Sequence, residues 1–355
     1  MNFGKSLFFQ IPSSIGSEGT TIVILPLVSL LQDQQSRARK LGLSSAIFSS
    51  RNPPDSFRLV FTTPETFLTS EFQNFVNRLR ITQRLDRLVI DECHVALTAK
   101  ESFRRNLGRL GEVVDLRTQL VLLTATLPPI YERDLFRTLK IDSAGPKIYR
   151  YSTERENIRY IVRKTTSKDE IFDIIRKKDK KFPNERIIIY TRTRAATKAL
   201  SKILNYPFYY SDSPNKSRVL RDFLEGRIRI VVATSSLGLR IDVPNIRAIF
   251  HIEVPYTLYD YAQETGRAGR DRKPSEALLL LPPSTNTELG RRKSSSEIIE
   301  KDVIQRYISD KCRRATLASY LDRKEEGNCS STVSPCDICS PIDPSKFSIK
   351  NNRFF

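Results

Sequence analysis

Leu88-Val89-Ile90 runs straight into Asp91-Glu92-Cys93-His94. Three apolar, branched residues followed at once by two carboxylates describe a buried strand that delivers charge at its C-terminal end. Working outward, short apolar runs of the same kind recur at Thr21–Leu25, Leu59–Thr62, Leu120–Leu123, Ile187–Tyr190, Ile228–Ala233, Ala248–His251 and Ala277–Leu281. Helix-length segments lie between them, among them Val28–Lys40, Lys168–Lys180, Ala195–Leu204 and Leu258–Arg267. This alternation predicts an α/β chain with parallel sheets covered on both faces. Ligands of such sheets bind beyond the C-terminal ends of the strands. The chemistry is therefore expected in the residues that follow the apolar runs.

The chain has 355 residues, enough for two or three domains with real cores. Its 39% hydrophobic and 28% charged residues argue against disorder and against a membrane protein. Apolar runs such as Thr21–Leu31 fall short of the roughly 20 residues of a membrane span. The start, Met1 to Ser6, has no pattern of a secretory signal. Five Cys suit a reducing compartment and metal ligation better than a disulfide framework. The net charge of +19, with its larger share in residues 151–355, calls for a polyanion: nucleic acid first, an anionic membrane second. The basic stretch Arg163–Lys181 fits a solvated helix face better than a dedicated DNA contact.

Gly4-Lys5-Ser6 before Leu7-Phe8-Phe9 has the form of the end of a phosphate-binding loop. There a Lys reaches phosphates and a hydroxyl binds Mg²⁺. The first Gly of the full motif would precede Met1. Asp91 and Glu92 suit nucleotide hydrolysis, Asp91 toward Mg²⁺ and Glu92 toward the attacking water; otherwise they are helix-start acids on a dipole. Leu122-Leu123-Thr124-Ala125-Thr126 is either a plain strand end or a bridge from the acidic pair. Ser29 and Thr63, just after strands, could offer hydroxyls to nucleic-acid phosphates. The second half contributes Ala233-Thr234-Ser235-Ser236-Leu237-Gly238, Arg240-Ile241-Asp242 and Gln263-Glu264-Thr265-Gly266-Arg267-Ala268-Gly269-Arg270-Asp271. Arg267 and Arg270, with Gly between, suit charge stabilisation in phosphoryl transfer. Cys312, Cys329, Cys336 and Cys339, spaced C-x16-C-x6-C-x2-C, suit a closed, structural Zn²⁺ site. Cys93 stands apart as a packed thiol.

In this order G-K-S, P-L-V-S-L-L-Q-D-Q, T-T-P-E, D-E-C-H, T-A-T, I-Y-T-R-T, A-T-S-S-L-G-L-R-I-D and Q-E-T-G-R-A-G-R-D resemble a superfamily-two helicase core, and within it the RecQ DNA helicases. DECH and the opening Gln263 fit RecQ, where DEAD-box RNA helicases have DEAD and a His-Arg start. Glu154–Tyr160, with Glu156-Asn157-Ile158-Arg159-Tyr160, resembles the start of the RecQ second domain. D-E-C-H-V-A-L, L-L-T-A-T-L-P-P and S-F-R-R-N-L are similar to fungal RecQ-like helicases. The resemblance implies two RecA-like domains, the first lacking its N-terminal part, and a small helical zinc-binding subdomain. The expected bounds are 1–147, 148–284, a linker at 285–298, the zinc subdomain at 299–341 and a tail at 342–355. It also implies ATP and Mg²⁺ held by Gly4, Lys5, Ser6 and Gln263, with Ser6 and Asp91 toward the metal. Asp91, Glu92, Arg267 and Arg270 would be catalytic. Ser29, Thr63, Phe103, Arg104 and Thr234 would meet DNA, largely without sequence preference, and no membrane is involved.

The implied activity is ATP-dependent 3′-to-5′ DNA unwinding in recombination, repair or replication, in the nucleus. The alternatives are a catalytically inactive DNA-binding relic and an RNA helicase. Three departures from the family pattern carry expectations. The adenine-recognising segment would lie before Gly4. The aromatic-rich loop, at Ala96–Arg104, keeps Phe103-Arg104 but has no Trp. Arg240 replaces the family's Gly and would be strained at positive φ. The long spacing between Cys329 and Cys336 predicts an inserted turn around Ser330–Ser334. Winged-helix and HRDC modules are not expected, so unwinding should be weaker than hydrolysis.

Overall fold

A computed structural model describes residues 4–15, 19–54, 56–98, 118–141, 145–283, 295–324 and 327–340. The chain divides into two compact units, one of residues 2–150 and one of residues 151–355.

In the first unit β1 (Thr20–Ile24), β2 (Ser45–Ile47), β3 (Leu59–Thr62), β4 (Leu85–Ile90) and β5 (Gln119–Leu122) form one parallel sheet in the order β2-β3-β1-β4-β5. Side chains of a strand alternate between faces. Ile22, Ile24, Val60, Leu88 and Ile90 enter one buried cluster, while Val23, Leu25, Leu59, Phe61 and Val89 enter another. Both faces are thus covered, which is why the inner parts of these strands are apolar on successive residues. Ile24 aligns with Thr62 and with Ile90, and Ile90 with Leu122. Thr63, Asp91 and Leu123 therefore leave the sheet along one edge.

The second unit repeats the plan. β6 (Ile158–Lys164), β7 (Arg186–Thr191), β8 (Phe208–Tyr209), β9 (Ile230–Ala233), β10 (Ile246–Ile252) and β11 (Ser275–Leu281) are parallel, in the order β6-β11-β10-β7-β9-β8. Ile187, Ile189, Val232, Phe250 and Leu280 pack on Ile171, Ile174, Ile175, Leu200 and Leu204 of the covering helices. Three helices of this unit start where the sequence supplies a hydroxyl: Ser167 accepts from the Glu170 amide, Thr193 from Ala196 and Thr257 from Asp260. The basic stretch Arg163–Lys181 is the end of β6 followed by the helix Lys168–Lys181, in which Lys178 is ion-paired with Glu276.

Helices Ser295–Ile308 and Arg313–Asp322 and a turn at residues 331–333 complete the unit. The first of these helices begins inside the stretch expected to be a linker. Among the described residues, no helix is long and apolar enough to cross a membrane.

Candidate active site

Gly4 adopts φ +52°, a conformation that favours glycine. From it the chain turns into the helix Leu7–Ile15, with the Leu7 amide donating to the Gly4 carbonyl (2.6 Å) and the Gln10 amide to that of Ser6 (2.9 Å). This places Lys5 at the end of β4. Its ammonium is ion-paired with the Glu92 carboxylate and lies 3.8 Å from Asp91 Oδ1. Ser6 Oγ donates to Gln34 Oε1 at 3.2 Å, so Gln34 of the P-L-V-S-L-L-Q-D-Q run is a member of the site that residue types alone did not single out.

The acidic pair sits on a sharp turn. The Asp91 amide still donates to the Ile24 carbonyl of β1 (3.0 Å), but Glu92 has φ +50° and its amide donates to Asp91 Oδ1 at 2.9 Å. A non-glycine residue there costs about 1 kcal/mol or more, a strain met at functional turns. The Cys93 amide then donates to the Leu123 carbonyl, and the Cys93 side chain is buried in the core, as a packed thiol. Burial lifts the Asp91 carboxyl to about 6 against the pull of Lys5. Burial also lowers His94 to about 4, so its imidazole is neutral near pH 7. His94 Nδ1 lies 3.0 Å from Thr124 Oγ1 and 3.4 Å from Glu92 Oε2. No motif spacing marks His94; in the structure it ties the acidic turn to the T-A-T strand end. The hydroxyl of Ser6 and the poorly solvated carboxylate of Asp91 are hard oxygen donors, which fit Mg²⁺, and Lys5 fits a phosphate.

Thr63 is buried and caps the short helix Pro64–Phe67, its Oγ1 accepting from the Thr66 amide at 3.3 Å. Ser29 belongs to the helix Val28–Lys40, but its side chain lies outside the described residues, as do Phe103 and Arg104. In the second unit Thr234 follows β9 and shares a 2.9 Å hydrogen bond with Ser236. Arg240 ends a right-handed 3₁₀ turn, Ser235–Arg240, so the strain expected of a positive φ does not arise.

Gln263, half-buried, rides on the helix Leu258–Thr265, which runs into the Gly266–Arg270 loop. Arg267 donates to the Ile241 carbonyl at 3.2 Å, and Arg270 is ion-paired with Asp242. Burial and the neighbouring Arg267 lower the Arg270 pKa, against the pull of Asp242. The loop is held by its main chain. Arg155 donates to the carbonyls of Gly266, Ala268 (2.8 Å) and Gly269 (3.0 Å), and Asn157 Nδ2 to that of Gly269 (2.8 Å). Gly269 has φ +53°, and a Cβ there would meet Ser275 Oγ at 2.5 Å and the Lys273 carbonyl at 2.7 Å.

The four C-terminal cysteines converge. Their sulfurs all lie within 4.8 Å of one another, with Cys312 3.6 Å from Cys329 and 3.8 Å from Cys336. Tetrahedral Zn²⁺ with bonds of about 2.3 Å requires sulfurs about 3.8 Å apart, so the donor set fits that ion. A turn is present at residues 331–333, within the stretch where an insertion was expected, and its Val333 is buried.

Residues 2–133 match the DEAD/DEAH box helicase family and residues 167–272 the helicase conserved C-terminal domain. Over 374 residues the chain is 29% identical to the ATP-dependent DNA helicase RecQ of Pasteurella multocida, covering 97% of this chain and 56% of that one. The chain is RecQ-like. With the ATP-dependent helicase SGS1 of Saccharomyces cerevisiae the RecQ-like chain shares 28% identity over 95% of its length and 25% of that protein's. The Saccharomyces cerevisiae Dbp5 structure, bound to RNA and ADP BeF3, superposes with a TM-score of 0.63 at 17% identity, covering 86% of this chain and 81% of that one. That likeness concerns the fold: two RecA-like parallel-sheet domains.

What the motifs did not reveal in the RecQ-like chain is how its arginine loop is held. Arg155 and Asn157 lie in the segment already matched to the start of the second domain, but nothing in their spacing says that they grip residues more than a hundred positions away.

Proposed function

We propose that this chain is the motor core of an ATP-dependent DNA helicase that moves 3′ to 5′ along one strand. The observation that carries the proposal is Lys5 lying against Asp91 and Glu92 where β4 ends. Lys5 and Ser6 hold the phosphates together with Gly4, and Gln263 contributes to nucleotide binding. Mg²⁺, held by Ser6 and Asp91, supplies charge neutralisation on the phosphates. Incoming phosphates compete with Glu92 for the Lys5 ammonium. The carboxylate so released orients the attacking water and accepts its proton. His94, neutral and hydrogen-bonded to Thr124, fixes the turn on which Glu92 stands. Arg267 and Arg270 balance negative charge in the transition state, Arg270 after leaving Asp242. The cysteines hold a structural Zn²⁺.

Ser29, Thr63, Phe103, Arg104 and Thr234 are assigned to DNA, gripped mainly through its backbone, and a role in recombination or repair in the nucleus belongs to the same reading. The +19 charge supports a phosphate-backbone partner. Duplexes with a 3′ or a 5′ single-stranded tail, in DNA and in RNA, test it. ATP-dependent opening of the 3′-tailed DNA is the expected result. Preference for the 5′ tail refutes the polarity, and preference for RNA refutes the substrate.

A further inference from the structure

The helix and loop that bear Gln263, Arg267 and Arg270 are gripped at both ends by the part of the chain that holds the cysteines. At the helix start, Glu300 of helix Ser295–Ile308 accepts from the Leu258 amide at 2.9 Å, and its other oxygen accepts from the Tyr320 hydroxyl. Glu300 is buried, and a carboxylate at a helix N-terminus is favourably placed on the dipole. The Tyr307 hydroxyl donates to that of Tyr261 in the middle of the same helix (3.0 Å).

The grip at the other end passes through one arginine. Arg314, two residues after Cys312, is buried, and its Nη2 donates to the carbonyls of Arg155 (3.0 Å), Glu156 (3.1 Å) and Ile158 (2.6 Å). Its Nε donates to the Ser334 carbonyl at 2.9 Å, and the Ser334 amide donates to the Glu156 carbonyl at 2.8 Å. Ser334 lies in the six-residue spacing between Cys329 and Cys336. That long spacing therefore has a use: it carries a main-chain contact to the segment whose Arg155 guanidinium holds the carbonyls of Gly266, Ala268 and Gly269. A third tie lies beside it. Asp337, inside the last cysteine pair, accepts from Arg313 and from the Val162 amide (3.0 Å).

We propose that the four-cysteine module is a brace for the arginine loop, with Arg314 as a positioning residue that acts through Arg155 on the main chain carrying Arg267 and Arg270. The proposal rests on the hydrolytic reading above. Arg314 touches no reacting atom; it fixes where the loop stands. A displacement of about 1 Å in such a group costs on the order of 100-fold in rate.

The test uses the full chain with zinc bound, as wild type, Arg314→Ala, Arg314→Lys and Arg155→Lys, each assayed for zinc content. Hydrogen exchange is read at residues 266–270 and at residues 91–93, and kcat and KM for ATP are measured with single-stranded DNA. In Arg314→Ala, exchange at residues 266–270 should rise by about 10-fold or more, while residues 91–93 keep their protection. Its kcat should fall on the order of 100-fold with KM within about twofold, and Arg314→Lys should recover part of the loss. Unchanged exchange in Arg314→Ala with zinc retained overturns the brace. If that variant loses zinc or unfolds, Arg155→Lys decides, because it lies outside the cysteine module and removes the three-carbonyl grip: unchanged exchange there overturns the proposal, and faster exchange supports it. A wild-type chain without ATP turnover refutes the hydrolytic reading, and the exchange data still decide the brace.

Discussion

The acidic site at the end of the first sheet and the arginine loop of the second unit are built in opposite ways. At the first, beyond the main-chain bonds of the turn, the functional side chains are held by side chains: Lys5 on Glu92, Ser6 on Gln34, His94 on Thr124. At the second, side chains hold main chain: Arg155 and Asn157 on loop carbonyls, Arg314 on the segment that carries them both. A site held by side chains can exchange partners when a ligand arrives, because each contact is one rotamer from another. A loop held by its carbonyls keeps its path whatever the arginine tips are doing. The first arrangement suits binding and release, the second a fixed reference for two movable guanidinium groups.

The largest effect that separates the two should come from Lys5→Ala. It removes the ammonium paired with Glu92, and ATP turnover should fall by about 100- to 1,000-fold with the second unit's stability unchanged. Steady-state kinetics with urea denaturation reads both. Gly269→Ala is the complementary break. Its Cβ would meet Ser275 and the Lys273 carbonyl at positive φ, so the second unit should lose about 3 kcal/mol in urea denaturation. Nucleotide affinity of the first unit should be untouched.

The pH response belongs to the first site. Burial lifts the Asp91 carboxyl to about 6, and on the proposed reading only its ionised form would hold Mg²⁺. Mg²⁺-nucleotide affinity should therefore fall toward tenfold per pH unit as pH drops below about 6, measured by isothermal titration. The folding signs differ. A raised carboxyl pKa favours the folded state at low pH, and this contribution is lost as pH rises through about 6. The lowered His94 pKa does the reverse, its stability being present above the unfolded value and lost as pH falls toward about 4. Between about 4 and about 6 the two oppose. His94→Asn should leave the Asp91 slope exposed in a pH series of melts. Smallest is Thr63→Ala, which removes a helix cap and should cost about 1 kcal/mol of first-unit stability. A larger loss of DNA affinity than of stability would support the nucleic-acid role of Thr63 beyond its cap.

How much was legible follows from the same contrast. Apolar runs of about three or more residues marked the central strands because a parallel sheet buries both faces. β2 and β8, with three and two residues, are too short to leave a pattern, and β6 is an edge strand whose Arg159 and Arg163 break the apolar run. Lys5, Asp91, Glu92 and the cysteines were visible because their chemistry sits in consecutive residues or short spacings. His94 was not, since its partner Thr124 lies thirty positions on in a commonplace strand end. The backbone grips of Arg155, Glu300 and Arg314 were invisible for a stronger reason: a main-chain carbonyl or amide leaves no complementary residue type to find.

The central claim is that the Lys5–Asp91–Glu92 cluster hydrolyses nucleotide. Its most direct test is ATP turnover by the full chain with and without single-stranded DNA, as wild type and as Glu92→Gln, with nucleotide binding measured on both. The account predicts DNA-stimulated turnover in the wild type and a loss of about 1,000-fold in Glu92→Gln with binding retained. No turnover in a wild-type chain that binds DNA, or equal turnover in the two proteins, would contradict it.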